Sequence, residues 1–433
     1  MTTSRIRFAL SAWHDPSARI FNLDVLAVVI AVTLPWSTSA VAIGTALWLV
    51  GFGLSADWRD FLRSLKAPSS FLPIALVGLA AIGALWSEAK WGARLYAIGP
   101  TLKLLAVPAL LYHYQRSKRG LWVFKGFVAS CALLSLVSWL VLFDPSLSLK
   151  GAGAERGIFV KNYIDQSQEF SLCLVALAFP VVTLLRERKI WQALLLCALA
   201  LSFLLNMLFV IVSRTALITM PVMLAGFAVL HFRLRTNLIC LGVAIMLAGL
   251  AWTGSAQLRA TVSRFASDYV IYRDNLNQPT SLGNRWEFWT KSLRFFAQAP
   301  LIGHGSGSIR GLFEKAATGP ADLAAGQVIA NPHNQTLNVA VQWGAIGVMI
   351  LLAMWLSHFL LFRGDVFASW IGLLVVVQNF LTSLFNSHLF DFHAGWMYVL
   401  GVGVGGGMVL KQRSVSAVGG TPFQAAPSAG KEP

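Results

Sequence analysis

Charged side chains are scarce in this chain of 433 residues. They make up 12% of the sequence, half of the roughly 25% found in soluble domains, whereas hydrophobic residues make up 56%. Lys and Arg number 34 and Asp and Glu 18, and the resulting excess of +16 lies in short connectors between apolar runs. This composition excludes a soluble enzyme, a disordered protein and a nucleic-acid binder. It indicates a polytopic membrane protein.

Cysteine is also rare. The chain has four cysteines, all of them lie within apolar runs, and no CxxC spacing occurs. A disulfide scaffold is therefore excluded, and the cysteines read as small buried apolar residues.

About twelve apolar stretches approach the roughly 20 residues that a helix needs to cross a bilayer. Every second connector is basic, and the positive-inside rule places these connectors in the cytoplasm. The sequence therefore predicts an all-α polytopic membrane protein with both termini cytoplasmic. The predicted spans cover 20–34, 36–54, 70–86, 97–113, 121–143, 168–185, 190–212, 215–232, 236–253, 335–362, 367–385 and 391–410.

The chain divides into five parts on this basis. A cytoplasmic N-terminus (1–19) precedes nine spans (20–253), and a long outward connection (254–334) precedes the last three spans (335–410). The final residues, 411–433, are rich in small residues and Pro, which predicts a disordered cytoplasmic tail. A connection of about eighty residues is far longer than an ordinary loop, so we expect function to be located there.

The long connection contains an amphipathic helix of the kind that lies in a membrane interface. In the stretch SLGNRWEFWTKSLRFFAQAP, an apolar face is predicted to contain Trp286, Trp289, Leu293 and Phe296. Asn284, followed by Glu three residues later, predicts an N-cap, which makes Arg285 the first helical residue.

Two further helix starts are predicted at the same outward face. Ser213 is suited to cap the span that puts Arg214 in its first turn, and Asn331-Pro332 is suited to start the span that puts His333 in its first turn. Helix N-termini attract anions, arginine binds phosphate oxygens through two parallel hydrogen bonds, and a histidine at such a terminus stays neutral. Two arginines and one neutral histidine suit group transfer from a diphosphate leaving group.

Each of these residues also has a structural interpretation. Arg214 is suited to anchor a span end at the membrane surface, Arg285 to form the polar edge of an interfacial helix, and His333 to cap a span. Three other outward histidines, His304 in a Gly-rich turn together with His388 and His393, compete for the catalytic role.

Other polar residues are secondary candidates for the same site. Lys103 lies just inside the outer end of a span, where charge is costly and often functional, and Arg156 and Lys161 lie in a basic outward connector. The outward segments lack a clustered acidic set or an HxxxH pair, so we predict no metal ion and no other cofactor. The isolated Asp268 is interpreted as a solvated loop charge.

Four stretches resemble the O-antigen ligase superfamily of bacterial envelope glycosyltransferases. They are SRTAL around Arg214, NRWEFW around Arg285, PLIGHGSGS, and NPHNQTLNVAVQWGAIG, in which the H-N-x-x-L-N run around His333 and Asn334 is the sharpest match. The order and spacing of these stretches resemble the family pattern, as does the long outward connection.

The resemblance implies a GT-C-like inner-membrane enzyme, with its active site in the periplasm, that is inverting and independent of metals. It implies O-antigen ligase activity, in which polysaccharide moves from undecaprenyl diphosphate to the lipid A–core oligosaccharide in lipopolysaccharide biosynthesis. Arg214 and Arg285 would then engage the diphosphate, His333 would act as general base, and Asn334 is a further candidate.

Alternative activities remain open at the level of sequence. O-antigen polymerases and protein O-oligosaccharyltransferases belong to the same superfamily and use other acceptors. A transporter of lipid-linked sugars would also suit twelve spans. Against transport, the candidate residues gather at one membrane face, whereas transporter sites usually lie near the midplane.

Overall fold

The computed structural model describes residues 15–151, 156–274 and 280–418. Throughout these residues the regular structure is helical, as predicted, with three short 3₁₀ segments at Gly99–Leu105, Pro145–Leu147 and Ala324–Gly326. The α-helices are α1 (Pro16–Thr33), α2 (Thr38–Ser55), α3 (Trp58–Ser64), α4 (Pro68–Ile82), α5 (Trp91–Ile98), α6 (Ala106–Tyr114), α7 (Gly120–Phe143), α8 (Tyr163–Arg186), α9 (Ile190–Phe209), α10 (Arg214–His231), α11 (Leu234–Gly254), α12 (Ala256–Asp274), α13 (Ser281–Gln298), α14 (Ser308–Lys315), α15 (Gln335–Leu361), α16 (Phe367–Thr382) and α17 (Phe392–Val418).

The apolar stretches predicted to span the membrane are all helical, but fewer than twelve have the full length. Within the described ranges, ten helical segments are long and apolar enough to cross a bilayer. α3 and α4 are bent by 88° and add an eleventh if they form one span, and α16 is shorter than the others. α17 continues through Val418, so the first residues of the predicted disordered tail are helical, and 419–433 lie outside the described residues.

α17 is largely buried and runs through the centre of the bundle. Its glycines allow α6 to approach closely: a Cβ at Gly403 would lie 2.5 Å from Leu110 Cβ, and one at Gly407 would lie 2.5 Å from Tyr114 Cβ. Small residues support membrane helix packing in this way, because lipid supplies little hydrophobic driving force between helices.

α15 contains a break that shapes the outward end of the bundle. Gly344 has φ +61°, and a Cβ there would lie 2.3 Å from the Leu301 carbonyl. The break leaves carbonyls without helical donors, and the PLIGHGSG loop satisfies them: His304 N–H donates to Val341 O and Gly305 N–H to Gln342 O. This loop therefore fastens the long connection to α15.

Within residues 254–274 and 280–334, the long connection contains three α-helices, α12, α13 and α14, and it contributes to a small apolar core. Phe288, Phe295, Ile309, Phe313 and Val341 form that core, which joins α13 and α14 to α15. Phe288 and Phe295 form a buried face that the prediction did not include, and the placement of the predicted apolar face in a membrane interface stays a prediction.

The face of α13 that packs on the protein holds Phe288, Lys291 and Phe295, whereas the predicted apolar residues Trp286 and Leu293 are exposed. The predicted pair between Glu287 and Lys291 is present, with Oε1 and Nζ 3.4 Å apart.

Candidate active site

The predicted start of α13 was wrong. The helix begins at Ser281, and Thr280 caps it by accepting a hydrogen bond from the Gly283 N–H. Asn284 therefore lies within the helix, where its Nδ2 donates to Gln327 Oε1. Arg285 is consequently in the second turn, and the free N–H groups of the helix start do not surround it.

The predicted start of α15 was also wrong. The helix begins at Gln335 with Asn334 as N-cap, whose Oδ1 accepts from the Leu337 N–H. His333 lies before the helix in the left-handed region, at φ +53°. Such backbone costs on the order of 1–3 kcal/mol and is typical of functional sites. Asn331 stabilises it, since its Oδ1 accepts from the His333 N–H at 3.0 Å.

Arg214 is the first residue of α10 and Ser213 is its N-cap residue, as predicted, although the Ser213 side chain makes no capping hydrogen bond. Arg214 Nη1 donates to Asp268 Oδ2 of α12 at 2.9 Å. The interpretation of Asp268 as a solvated charge was therefore wrong. The pair orients the guanidinium, and arginine has five donors to share among several partners.

The three predicted site residues belong to one electrostatic environment. Burial lowers the pKa of the Arg285 guanidinium, and the positive charge of Arg214 lowers it further. Burial also lowers the pKa of the His333 imidazole, a hydrogen bond from its ring to Asn386 opposes this, and the charge of Arg285 lowers it again. Arg285 thus interacts with both Arg214 and His333, and a neutral His333 is favoured at pH 7.

α13 also contacts the His333 segment directly. The Phe288 and His333 rings have centroids 6.2 Å apart, and Trp289 Nε1 donates to Pro332 O at 3.1 Å. Arg285 lies one turn before these residues on the same helix, so it is on the same side of α13 as the residues that contact the His333 segment.

Asn386, which sequence analysis missed, determines which ring nitrogen of His333 carries the proton. Its Nδ2 donates to Asp391 Oδ2 at 2.8 Å, so its Oδ1 is the atom that lies 2.9 Å from His333 Nδ1. A carbonyl oxygen only accepts, so Nδ1 must donate. The neutral ring then has its lone pair on Nε2, which is available to accept a proton.

Asn386 lies in the 383–391 connector between α16 and α17, and Lys103 supports that connector. Lys103 Nζ donates to the carbonyl oxygens of Phe390 and Asp391. Asn334 Nδ2 donates to Leu384 O in the same connector at 3.3 Å. These contacts favour a supporting role for Lys103 over the phosphate contact considered from the sequence, and a supporting role for Asn334 as well.

The other two secondary candidates, Lys161 and Arg156, do not contact the 383–391 connector or His333 in the described hydrogen bonds. Lys161 Nζ is buried and donates to Glu169 Oε1 and Leu34 O, both at 2.6 Å, which favours a structural role. Arg156 is exposed in a turn beside residues 152–155, which lie outside the described residues.

The competing histidines each have a protein contact. His304 Nε2 lies 2.8 Å from Phe295 O, and His393 Nδ1 lies 2.9 Å from Asp165 Oδ2. His388 is buried with Nδ1 2.9 Å from Asp391 Oδ2. Within 15–151, 156–274 and 280–418, no three His, Cys, Asp or Glu side chains are placed to hold a metal ion.

Comparison with known families supports the family resemblance of the sequence. Residues 199–352 match the family model described as O-antigen ligase, and this range contains Arg214, Arg285 and His333. The chain carries an O-antigen ligase family domain. This match supports membership of the O-antigen ligase/polymerase superfamily, as the resemblance implied.

A second similarity covers less of the molecule. The chain is 31% identical over 86 residues to a Haemophilus influenzae protein named "Uncharacterized protein". The matched segment covers 20% of this chain and 22% of that relative.

Proposed function

We propose that this protein is an O-antigen ligase: a metal-independent, inverting glycosyltransferase of the bacterial inner membrane. In this proposal it transfers O-antigen polysaccharide from undecaprenyl diphosphate to the lipid A–core oligosaccharide at the periplasmic face. The observation that carries the proposal is the position of α13 within the matched family range: this helix carries Arg285, and its next turn contacts the His333 segment through Phe288 and Trp289.

The two arginines would hold the donor diphosphate. Arginine recognises phosphate oxygens through paired, charge-assisted hydrogen bonds, and its charge persists at every physiological pH. As the bond between C1 of the sugar and the diphosphate oxygen breaks, the electron pair passes to that oxygen. Arg214 and Arg285 stabilise the developing negative charge more strongly in the transition state than in the ground state.

His333 would activate the acceptor. Its Nε2 takes the proton of the acceptor hydroxyl while the hydroxyl oxygen forms the new bond to C1 on the face opposite the diphosphate. The configuration at C1 is inverted in this single displacement. Its lowered pKa keeps the imidazole neutral and able to accept that proton, and Asn386 directs the lone pair to Nε2.

The acceptor is best tested by direct transfer. Purified protein would receive undecaprenyl-diphosphate glycan with rough lipopolysaccharide, with and without EDTA, and the products would be separated by mass. We expect lipid A–core to gain the mass of the glycan in both samples. Glycan added to another O-antigen unit would instead identify a polymerase, and movement of the donor without bond formation would identify a transporter.

A matched pair of variants ties the transfer to the proposed site. Arg285→Ala should abolish it, whereas Arg310→Ala, which removes an exposed arginine of α14 paired with Glu314, should leave it intact. Equal loss in both variants would contradict the assignment of Arg285 to the diphosphate.

A further inference from the structure

A basic cavity lies among the ends of α1, α2 and α6. Its volume is about 160 Å³, and its lining includes Arg19, Leu23, Phe52, Ser55, Asp57 and Arg116. None of these residues belongs to the candidate active site or to the matched family range.

The cavity is at the opposite membrane face from the candidate active site. α17 begins at Phe392, immediately after Asp391, which contacts Asn386 in the active site. Nineteen residues later, Lys411 Nζ donates to Arg116 O at 3.1 Å beside the cavity. At 1.5 Å per residue this helix separates the two places by about 28 Å, close to the thickness of a bilayer core.

Two of the lining residues have a buried polar atom without a hydrogen-bond partner among the described residues. The Nε of Arg19 and the Oγ of Ser55 are buried, and neither makes a hydrogen bond with the described part of the chain. Both groups can donate, so a bound group that satisfies them must accept hydrogen bonds. An unpaired buried donor is destabilising, and an oxyanion that accepted its hydrogen bond would relieve that cost.

The lining of the cavity has two arginines, Arg19 and Arg116, and one carboxylate, Asp57, so its excess charge is positive. Arg116 on the facing wall has its guanidinium 3.6 Å from the Tyr112 ring centre and Nη2 3.6 Å from Asp60 Oδ2. The carboxylate of Asp57 also lines the cavity, but its Oδ1 is occupied by the N–H groups of Arg59 and Asp60 at the start of α3.

The wall behind these residues is rigid. Asp24 is fully buried in α1, with Oδ1 2.8 Å from His113 Nε2 and Oδ2 accepting from Ser117 Oγ at 2.8 Å. These contacts join α1 to the end of α6, so the cavity is preorganised before a ligand enters.

The position of the cavity indicates which kind of anion would bind in it. Trp58 and Trp122 are exposed near it, as tryptophans are at the headgroup level of a membrane, and Leu23 and Phe52 give the cavity an apolar wall. We propose that this cavity binds the phosphate headgroup of an anionic phospholipid in the leaflet opposite the active site. Basic pockets between membrane helices bind such headgroups.

Native mass spectrometry of the purified full chain, titrated with phosphatidylglycerol or phosphatidylcholine, tests this proposal. We expect saturable retention of phosphatidylglycerol over phosphatidylcholine and about fivefold weaker retention in Arg19→Ala, the effect of one arginine charge. Arg186→Ala is the matched control, because it removes an exposed arginine from the α8 end at the same face. Equal losses in the two variants would overturn the proposal in favour of general charge attraction.

Three further measurements test misfolding, binding of a soluble anion and occupation by the N-terminal segment as alternative explanations. Arg19→Lys should retain more lipid than Arg19→Ala and elute identically in size-exclusion chromatography, which excludes misfolding as the cause. Inorganic phosphate that displaced the lipid at millimolar concentration would assign the cavity to a soluble anion and overturn the lipid. Retention seen only after deletion of residues 2–14 would overturn it too, because that segment would then fill the cavity in the full chain.

Discussion

Substitution of Asn386 probes the protonation of His333 without changing the histidine. Asn386→Ala removes the acceptor at His333 Nδ1, a hydrogen bond that raises the pKa of the imidazole. The pKa should fall further as a result. A neutral hydrogen bond contributes about 0.5–1.5 kcal/mol, and one pKa unit corresponds to about 1.4 kcal/mol, so the shift should be at most about one unit.

Asn386→Asp changes the pKa of His333 in the other direction. A carboxylate beside Nδ1 favours the imidazolium, so the pKa should rise. Both variants should lower kcat/KM at pH 7.5, by about tenfold for Asn386→Ala, because a weaker or wrongly protonated base loses roughly 1.4 kcal/mol of transition-state stabilisation.

The assay is kcat/KM for glycan transfer between pH 5 and 8.5. His333 acts when neutral, so activity should fall as the pH drops through its pKa, which lies below the ordinary value of about 6.5. This acid limb should move to lower pH in Asn386→Ala and to higher pH in Asn386→Asp. Gln327→Ala, which removes a contact to Asn284 in the long connection, is the control. An acid limb at the same pH in all four proteins would refute the role of Asn386.

Three further predictions concern single residues. His333→Ala should abolish transfer while thermal unfolding and expression stay unchanged, and an active variant would reject it as the base. Arg214→Lys should reduce kcat/KM at least about tenfold because paired contacts to phosphate are lost; turnover at the wild-type rate would mean that Arg214 only anchors α10. Gly344→Ala should lower the melting temperature, since φ +61° and the nearby Leu301 carbonyl leave no room for a Cβ. A melting temperature equal to that of the wild type would show that the break in α15 relaxes.

Local sequence patterns predicted helices and helix starts correctly where a residue type has a single physical preference. Apolar runs of span length predicted the helices, and Ser213 predicted the start of α10. The same rules misplaced the starts of α13 and α15, because each region contains more than one good cap. Asn331 and Asn334 are equally suited by type, and only the contacts made by each side chain separate them.

Tertiary contacts determine which of the two asparagines caps α15. The Asn331 Oδ1 accepts hydrogen bonds from Ser387 Oγ and from the His333 N–H, so it does not cap a helix. The Gln335 N–H donates to Ser383 O at the first residue of α15, and Asn334 is the N-cap. Partners from the 383–391 connector lie about fifty residues further along the chain. Their contribution depends on folding of the whole bundle and leaves no periodic signal in the sequence.

The sequence by itself determined that this is a membrane protein, where its apolar stretches lie and which polar residue types the candidate site contains, because these follow from composition and local spacing. Only the tertiary structure decided that the charge of Arg285 reaches both Arg214 and His333, that Asn386 sets the protonated nitrogen, and that a basic cavity forms at the other face. Electrostatic fields and hydrogen bonds act over a few ångströms in space, and helix packing, which no local pattern encodes, determines which distant residues come that close.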